Sequence, residues 1–183
     1  SLDVAYRELH ENQGVAPGEE STFTIKSPPI TRTFPAADTG RIVLSESGQH
    51  VRETPEGQIA TGTTVLDEGY DPSIAANGGR VVFTNLDDQI AIAGGGLVSV
   101  TPEGDPGNGS SDHPAISGSG RFVAFRSTSD DLDPESPFGG FFVRDLDLGV
   151  TRRVPMPDDL DWSELQLASM PYAVSDGGRY LFL

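Results

Sequence analysis

A short motif that recurs four times constrains this chain more than any other feature. Each copy consists of a Pro, a few small residues, a Gly turn, an Arg and then alternating apolar residues. The glycines supply the positive φ of a tight hairpin turn, and the β-branched and aromatic residues after the Arg favour a strand. Every copy therefore predicts a strand, a turn and a second strand. The copies begin at Pro35, Pro72, Pro114 and Pro171 and reach their arginines at Arg41, Arg80, Arg121 and Arg179.

Two more strands are predicted after the hairpin of each of the first three copies. They span 49–53 and 59–66 in the first copy, 89–93 and 97–101 in the second, and 141–145 and 150–154 in the third. Four antiparallel strands in roughly 40 residues are typical of a β-propeller blade. The sequence therefore predicts an all-β propeller, with blade repeats at about 34–70, 71–112 and 113–170.

The two ends of the chain predict a fourth blade that is split between them. Residues 4–9 resemble the third strand of the third repeat, and Ser21–Lys26 alternates like a fourth strand. Residues 171–183 supply only a first and a second strand. A blade shared by 1–33 and 171–183 would remove unpaired sheet edges. This shared blade can form within one chain, which then has four blades, or between two chains of a homodimer. Alternatively, residues 1–183 are part of a larger propeller.

The third repeat also resembles a known family. Its segments Asp112-His-Pro-Ala-Ile-Ser-Gly-Ser-Gly-Arg-Phe-Val-Ala-Phe and Phe142-Val-Arg-Asp-Leu-Asp-Leu-Gly-Val-Thr-Arg-Arg-Val are similar to the WD-type repeat of bacterial TolB-like β-propellers. The fourth copy matches the first half of that repeat through Ser175-Asp-Gly177. The resemblance implies a propeller and an extracellular or periplasmic location. It implies little about activity, because such propellers serve as scaffolds, gates, enzymes and binding platforms.

Charge and cysteine content exclude several functions. The formal net charge of −16 disfavours nucleic acid and anionic lipid as partners. No apolar run approaches the roughly 20 residues that cross a bilayer. The chain has no Cys, which excludes disulfides, thiol catalysis and cysteine-bound zinc. No nucleophile elbow or phosphate-binding loop is present either, so no catalytic residues are predicted.

Candidate binding residues follow from where propellers hold their ligands, at the central channel and the loop rims. Asp71 and His113 each come directly before the motif's Pro, where the first strand of a blade enters the channel, and Asp112 adjoins His113. These three side chains predict a polar patch at one mouth. An exposed loop histidine is the plainer interpretation of His113, because no second His stands at metal-binding spacing.

Two insertions contribute further candidates. Phe138 lies in the 127–140 insertion and Trp162 in the 155–170 insertion, where Trp162 either pins its loop against a blade or forms an aromatic platform. Asp131, Asp133 and Glu135 alternate like the start of a calcium loop, but the required Gly and Glu are replaced by Ser136 and Phe142. An acidic solvated loop is favoured over a looser Ca²⁺ site, and both interpretations stay open.

These features favour a non-enzymatic binding or scaffold module that presents a loop face to a protein, peptide or glycan. The alternative is the propeller part of an enzyme, either the gating domain of an oligopeptidase-like hydrolase or a propeller lyase. The full reading frame distinguishes the two, because a downstream hydrolase domain would identify the enzyme.

Overall fold

A computed structural model describes residues 21–26, 29–34, 42–135, 138–155 and 173–182. Every regular element in these ranges is a β-strand, and every strand pair is antiparallel, so the predicted all-β class is confirmed. The chain divides into two units, Ser1–Gly40 and Arg41–Leu183. In the first unit, β1 (Ser21–Lys26) pairs with β2 (Pro29–Phe34). The strand predicted at Ser21–Lys26 is confirmed, whereas residues 3–9 lie outside the described residues and the split blade stays a prediction.

The third repeat forms a four-stranded sheet, as its sequence predicts. Its strands follow one another as neighbours in the sheet, which is the order of a meander. They are β9 (Ser111–Ile116), β10 (Phe122–Ser127), β11 (Gly140–Asp145) and β12 (Val150–Arg153). Phe125 and Phe142 face each other across β10 and β11, and their stacked rings are fully buried with centroids 5.7 Å apart. The aromatic residues that predicted these strands therefore also form their core.

The first two repeats share one sheet of six strands. Its strands are β3 (Ile42–Leu44), β4 (His50–Glu53), β5 (Gln58–Thr61), β6 (Thr64–Ile74), β7 (Val81–Asn85) and β8 (Ile90–Ile92). The eleven-residue strand β6 joins the two repeats, because its first half pairs with β5 and its second half with β7. The fourth repeat contributes the hairpin β13 (Ala173–Val174) and β14 (Leu181–Phe182).

The hairpin turn of the motif has the same geometry in the second, third and fourth repeats. The last strand residue before the turn pairs with a residue seven positions later: Ile74 with Val81, Ile116 with Val123, and Val174 with Leu181. The glycine at the tightest point has a positive φ in all three turns, as predicted: 73° at Gly78, 77° at Gly120 and 66° at Gly178. Counted from the last strand residue before the turn, Arg80 comes one position later than Arg121 and Arg179 do in their repeats. These three arginines are therefore not all structurally equivalent.

Two predicted strands are wrong. The single strand expected at 59–66 is broken by a turn at Gly62, where φ is 56° and where His50 Nε2 accepts a hydrogen bond from the Gly62 amide. The strand expected at 97–101 is reduced to two isolated bridges. There, Ser99 Oγ accepts a hydrogen bond from the Ile90 amide at 2.9 Å, so a side chain replaces a backbone partner of β8.

Candidate functional site

Asp71 and His113 occupy equivalent β-bulges in successive repeats. In β6 the bulge lies between Tyr70 and Ser73, and in β9 it lies between Asp112 and Ala115. Each bulge adds one residue relative to the opposing strand and contains the residue that precedes the motif's Pro. The φ of that residue is 51° at Asp71 and 52° at His113, a conformation that is uncommon outside glycine. The repeat therefore duplicates a strained backbone feature as well as a sequence.

These two bulges bring Asp71 and His113 into contact. Nε2 of His113 lies 3.4 Å from Oδ2 of Asp71, and Nδ1 of the same ring lies 3.1 Å from Oδ1 of Asp112. The buried Nδ1 is close enough for an ion pair with Asp112 but lacks the alignment of a hydrogen bond. The structure thus assembles the three residues predicted at the mouth, which we call the mouth cluster, with the imidazole between two carboxylates. Their role in binding stays a prediction.

Asp112 is also held by Arg126, its direct partner across β9 and β10. The guanidinium forks onto the carboxylate, with Nε donating to Oδ1 at 2.8 Å and Nη2 donating to Oδ2 at 2.5 Å. Burial opposes ionisation of Asp112, but His113 and Arg126 outweigh it and lower the pKa of its carboxyl group below the ordinary 3.8. Asp112 is therefore a fixed anion beside the imidazole.

A third non-glycine residue with a positive φ lies close to the mouth cluster. Asp88, in the turn between β7 and β8, has a φ of 54° and accepts a hydrogen bond from the hydroxyl of Tyr70. Burial and this bond to Asp88, with smaller contributions from Asp112 and Asp71, raise the pKa of Tyr70 well above its ordinary 10.0. The amide of Asp71 in turn donates to the Glu53 carboxylate at 3.3 Å. The surroundings of the mouth cluster are thus mainly anionic.

The sequence did not single out Arg126, Tyr70 or Asp88. Arg126 could not be found in this way, because the register set by the Gly120 turn alone would place it opposite His113, and only the bulge in β9 brings Asp112 opposite it. Tyr70 adjoins the candidate Asp71 in the chain, which gave a weak indication. Nothing in the sequence indicated Asp88, since its bond to Tyr70 joins residues 18 positions apart.

Two of the three acidic residues considered as calcium ligands, Asp131 and Asp133, accept hydrogen bonds from different backbone amides. Asp131 accepts hydrogen bonds from the Asn108 amide at 3.1 and 3.2 Å. Asp133 is buried, and its Oδ2 accepts a bond from the Arg153 amide at 2.8 Å while its Oδ1 accepts one from the Glu135 amide at 3.1 Å. Within the described ranges, no three His, Asp or Glu side chains are arranged to hold a metal ion. The Ca²⁺ interpretation remains a prediction, tested below.

Of the two aromatic candidates, Phe138 and Trp162, the structure describes only Phe138. Phe138 is 66% exposed in the connection between β10 and β11. That connection leaves the sheet at Ser127 and Gly140, the end at which β9 begins, so it shares an end with His113. Trp162 and its insertion lie outside the described residues.

Comparison with known proteins does not assign the chain to a family. No protein-family model matches it, and no curated protein sequence matches it either. In the described part of the chain, no helix is long and apolar enough to span a membrane.

Proposed function

We propose that this chain is a TolB-like β-propeller module, or part of a larger one, that binds a protein, peptide or glycan at the mouth cluster without catalysing a reaction. Three features support a propeller: the resemblance of the third repeat, its four-stranded meander, and the equivalent hairpins of three repeats. The extracellular or periplasmic location that accompanies this proposal rests on the resemblance alone.

The arrangement of the first strands supports the position of the binding site. Strand β9 packs against β6 of the preceding repeat and β13 of the following one. In a propeller the first strand of each blade lines the central channel, and ligands bind where these strands begin. The contact between Asp71 and His113, equivalent residues of neighbouring repeats, is the observation that carries this proposal.

The charge of the site favours one class of partner. Around His113, the carboxylates of Asp71, Asp112, Asp88 and Glu53 outnumber the single guanidinium of Arg126 among the interactions described above. A cationic group, such as a lysine or arginine side chain or the amino terminus of a peptide, would be attracted to such a site. We therefore favour a basic peptide segment over a neutral glycan.

Arrays of peptides and glycans test this proposal. The wild-type chain should bind lysine- or arginine-containing peptides, and Asp71→Asn should weaken that binding about tenfold. The matched control is Asp147→Asn, which removes the same charge from the turn after β11 at the opposite end of the sheet. Selective binding of neutral glycans, or equal loss in both variants, would contradict a cation-accepting mouth.

A further inference from the structure

The four-stranded sheet of the third repeat ends in an edge strand, β12. Strand β9 forms the other edge and packs against β6 and β13, whereas β12 pairs with β11. The Val154 amide donates to the Phe141 carbonyl at 2.7 Å, which fixes the residues of β12 that bond to β11. Because these residues alternate in an antiparallel ladder, the backbone groups of Thr151 and Arg153 point away from β11. Outward groups of this kind are a template for a strand of a second chain.

Two charged side chains cover these outward groups. Oδ2 of Asp133 accepts a hydrogen bond from the Arg153 amide at 2.8 Å, so it occupies the place of an incoming carbonyl. Nη1 of Arg152 donates to the Thr151 carbonyl at 3.2 Å and so occupies the place of an incoming amide. The same Nη1 lies 3.8 Å from Oδ1 of Asp133, which joins the two caps as an ion pair.

The insertion that carries Asp133 is fastened against β12. The Glu135 amide donates to Oδ1 of Asp133 at 3.1 Å, and Nε of Arg153 donates to the Gly139 carbonyl at 3.0 Å. Asp133 is buried, so its carboxylate has a fixed place at the strand edge. An incoming strand would have to displace this carboxylate from its partners, and a buried charge without partners is costly.

The second repeat closes its own edge in a similar way. The Ala93 amide donates to the Val81 carbonyl, so the backbone groups of Ile90 in β8 point away from β7. Oγ of the buried Ser99 accepts the Ile90 amide at 2.9 Å. In two successive repeats, therefore, a side-chain oxygen accepts an amide that would otherwise pair with another strand.

We propose that Asp133 and Arg152 form an edge guard, which prevents β12 from pairing with β12 of a second copy of this chain. Antiparallel pairing of two such edges is symmetric and uses both of them, so association without the guard stops at a dimer. The net charge of −16 also opposes self-association, but salt screens that long-range repulsion and leaves the contacts of the guard in place. The edge guard does not depend on the proposed function.

Sedimentation of the full chain at increasing salt tests the edge guard with the double variant Asp133→Ala/Arg152→Ala. The wild type should keep one mass from about 0.1 M to about 1 M salt, whereas the mass of the double variant should roughly double. The matched control is Asp131→Ala/Arg179→Ala, which removes one acid and one arginine that interact elsewhere, with Asn108 and Tyr180. A folded double variant that keeps the wild-type mass, or equal association of the control, would overturn the proposal.

Hydrogen–deuterium exchange identifies the surface at which the copies meet. In the double variant the amides of β12 should become protected as the protein concentration rises, and those of β9 and β10 should not change. Association that protects another segment instead of β12 would overturn the edge guard.

Arg152→Ala keeps the proposal testable if the double variant does not fold. The Arg152 side chain is 56% exposed, and its removal leaves the buried Asp133 in place. This variant uncovers the Thr151 carbonyl alone, so we expect a smaller gain in mass at about 1 M salt than for the double variant. An Arg152→Ala chain with the wild-type mass at every salt concentration would overturn the edge guard.

Discussion

Asp71 and His113 hold the same place in successive repeats, and Nε2 of His113 lies 3.4 Å from Oδ2 of Asp71. Both residues precede the motif's Pro, and both have a φ just above 50°. One local backbone geometry, used twice, thus produces a contact between repeats. The pair shows how a repeated sequence can build a site at which the side chains themselves differ.

The glycine of the motif turn should resist substitution by a β-branched residue. Gly178 has a φ of 66°, and a Cβ built there would lie 2.6 Å from the Phe122 ring. We expect Gly178→Val to lower the free energy of unfolding by about 1–3 kcal/mol, and Gly120→Val, at a φ of 77°, to lower it as well. Chemical denaturation at neutral pH measures both changes.

The neighbouring residue Gly177 supplies the control for this prediction. A Cβ at Gly177 has no heavy atom within 4 Å, and its φ lies outside the positive region. Gly177→Val should therefore cost clearly less than Gly178→Val. Equal costs at the two positions would show that the turn geometry described here is wrong.

Asp112 should stabilise the fold in a pH-dependent manner. Its pKa is lowered in the folded chain, so its pairing contributes stability above the ordinary carboxyl value of 3.8 and loses it as the pH falls through the lowered value. Asp112→Asn should accordingly be less stable than the wild type at pH 7, and the difference should shrink toward pH 3. Urea unfolding at both pH values measures it. A difference that stays constant with pH would contradict the ionic role of Asp112.

Calcium should have little effect on stability. If Asp131, Asp133 and Glu135 held Ca²⁺, millimolar Ca²⁺ would raise the melting temperature by mass action. We expect a small shift or none, because Asp131 and Asp133 already accept backbone hydrogen bonds. A clear shift that disappears in the double variant Asp131→Asn/Asp133→Asn would instead establish the calcium site.

Asp133 should be more important for folding than Asp131. Its carboxylate is buried and accepts the Arg153 amide of β12, whereas the bonds from Asn108 to Asp131 are exposed. Asp133→Ala should lower the free energy of unfolding by about 1–3 kcal/mol, since it leaves a buried donor without its partner. Asp131→Ala should cost less under the same denaturation conditions.

The hairpins could be predicted from the sequence because turn chemistry is local. The spacing of Ser117, Gly120 and Phe122 defines a turn whose hydrogen bonds close within five residues, and the structure forms it as expected. The four strands of the third repeat followed from alternation and from Gly149, which has a φ of 68°. Such features depend on neighbours in the chain rather than on distant contacts.

The bulges and the joining of two repeats in one sheet could not be predicted in the same way. The extra residue in β6 or β9 can be recognised only when the residues of the opposing strand are known, because a bulge is a mismatch in residue number between two paired strands. Ser99 likewise looked like a strand residue, and its bond to the Ile90 amide is a tertiary contact. The polar patch at the mouth was predicted from the motif, but the contacts among its side chains depend on the pairing registers of β6 and β9.

The central claim is that successive repeats lie side by side with equivalent turns at one end, as blades do. A Cβ built at Gly118 would lie 3.3 Å from the Cβ of Ala76. This is just below the roughly 3.5–4.5 Å found in disulfides, so a bond between the two positions needs only a small shift of the backbone. Because the chain has no Cys, the double variant Ala76→Cys/Gly118→Cys reports on this contact alone. The control is the double variant Ala76→Cys/Gly96→Cys, which leaves Gly118 unchanged. A Cβ built at Gly96 has no heavy atom within 4 Å, so this position accepts the new side chain.

The measurement is the fraction of intramolecular disulfide formed by mild oxidation of the folded chain, read by mass spectrometry after digestion. We expect nearly complete cross-linking of the Cys pair at positions 76 and 118, reversed by reductant, and little cross-linking of the pair at positions 76 and 96. Failure of the first pair to cross-link while the protein remains folded, or equal cross-linking of both pairs, would contradict the side-by-side arrangement of the repeats.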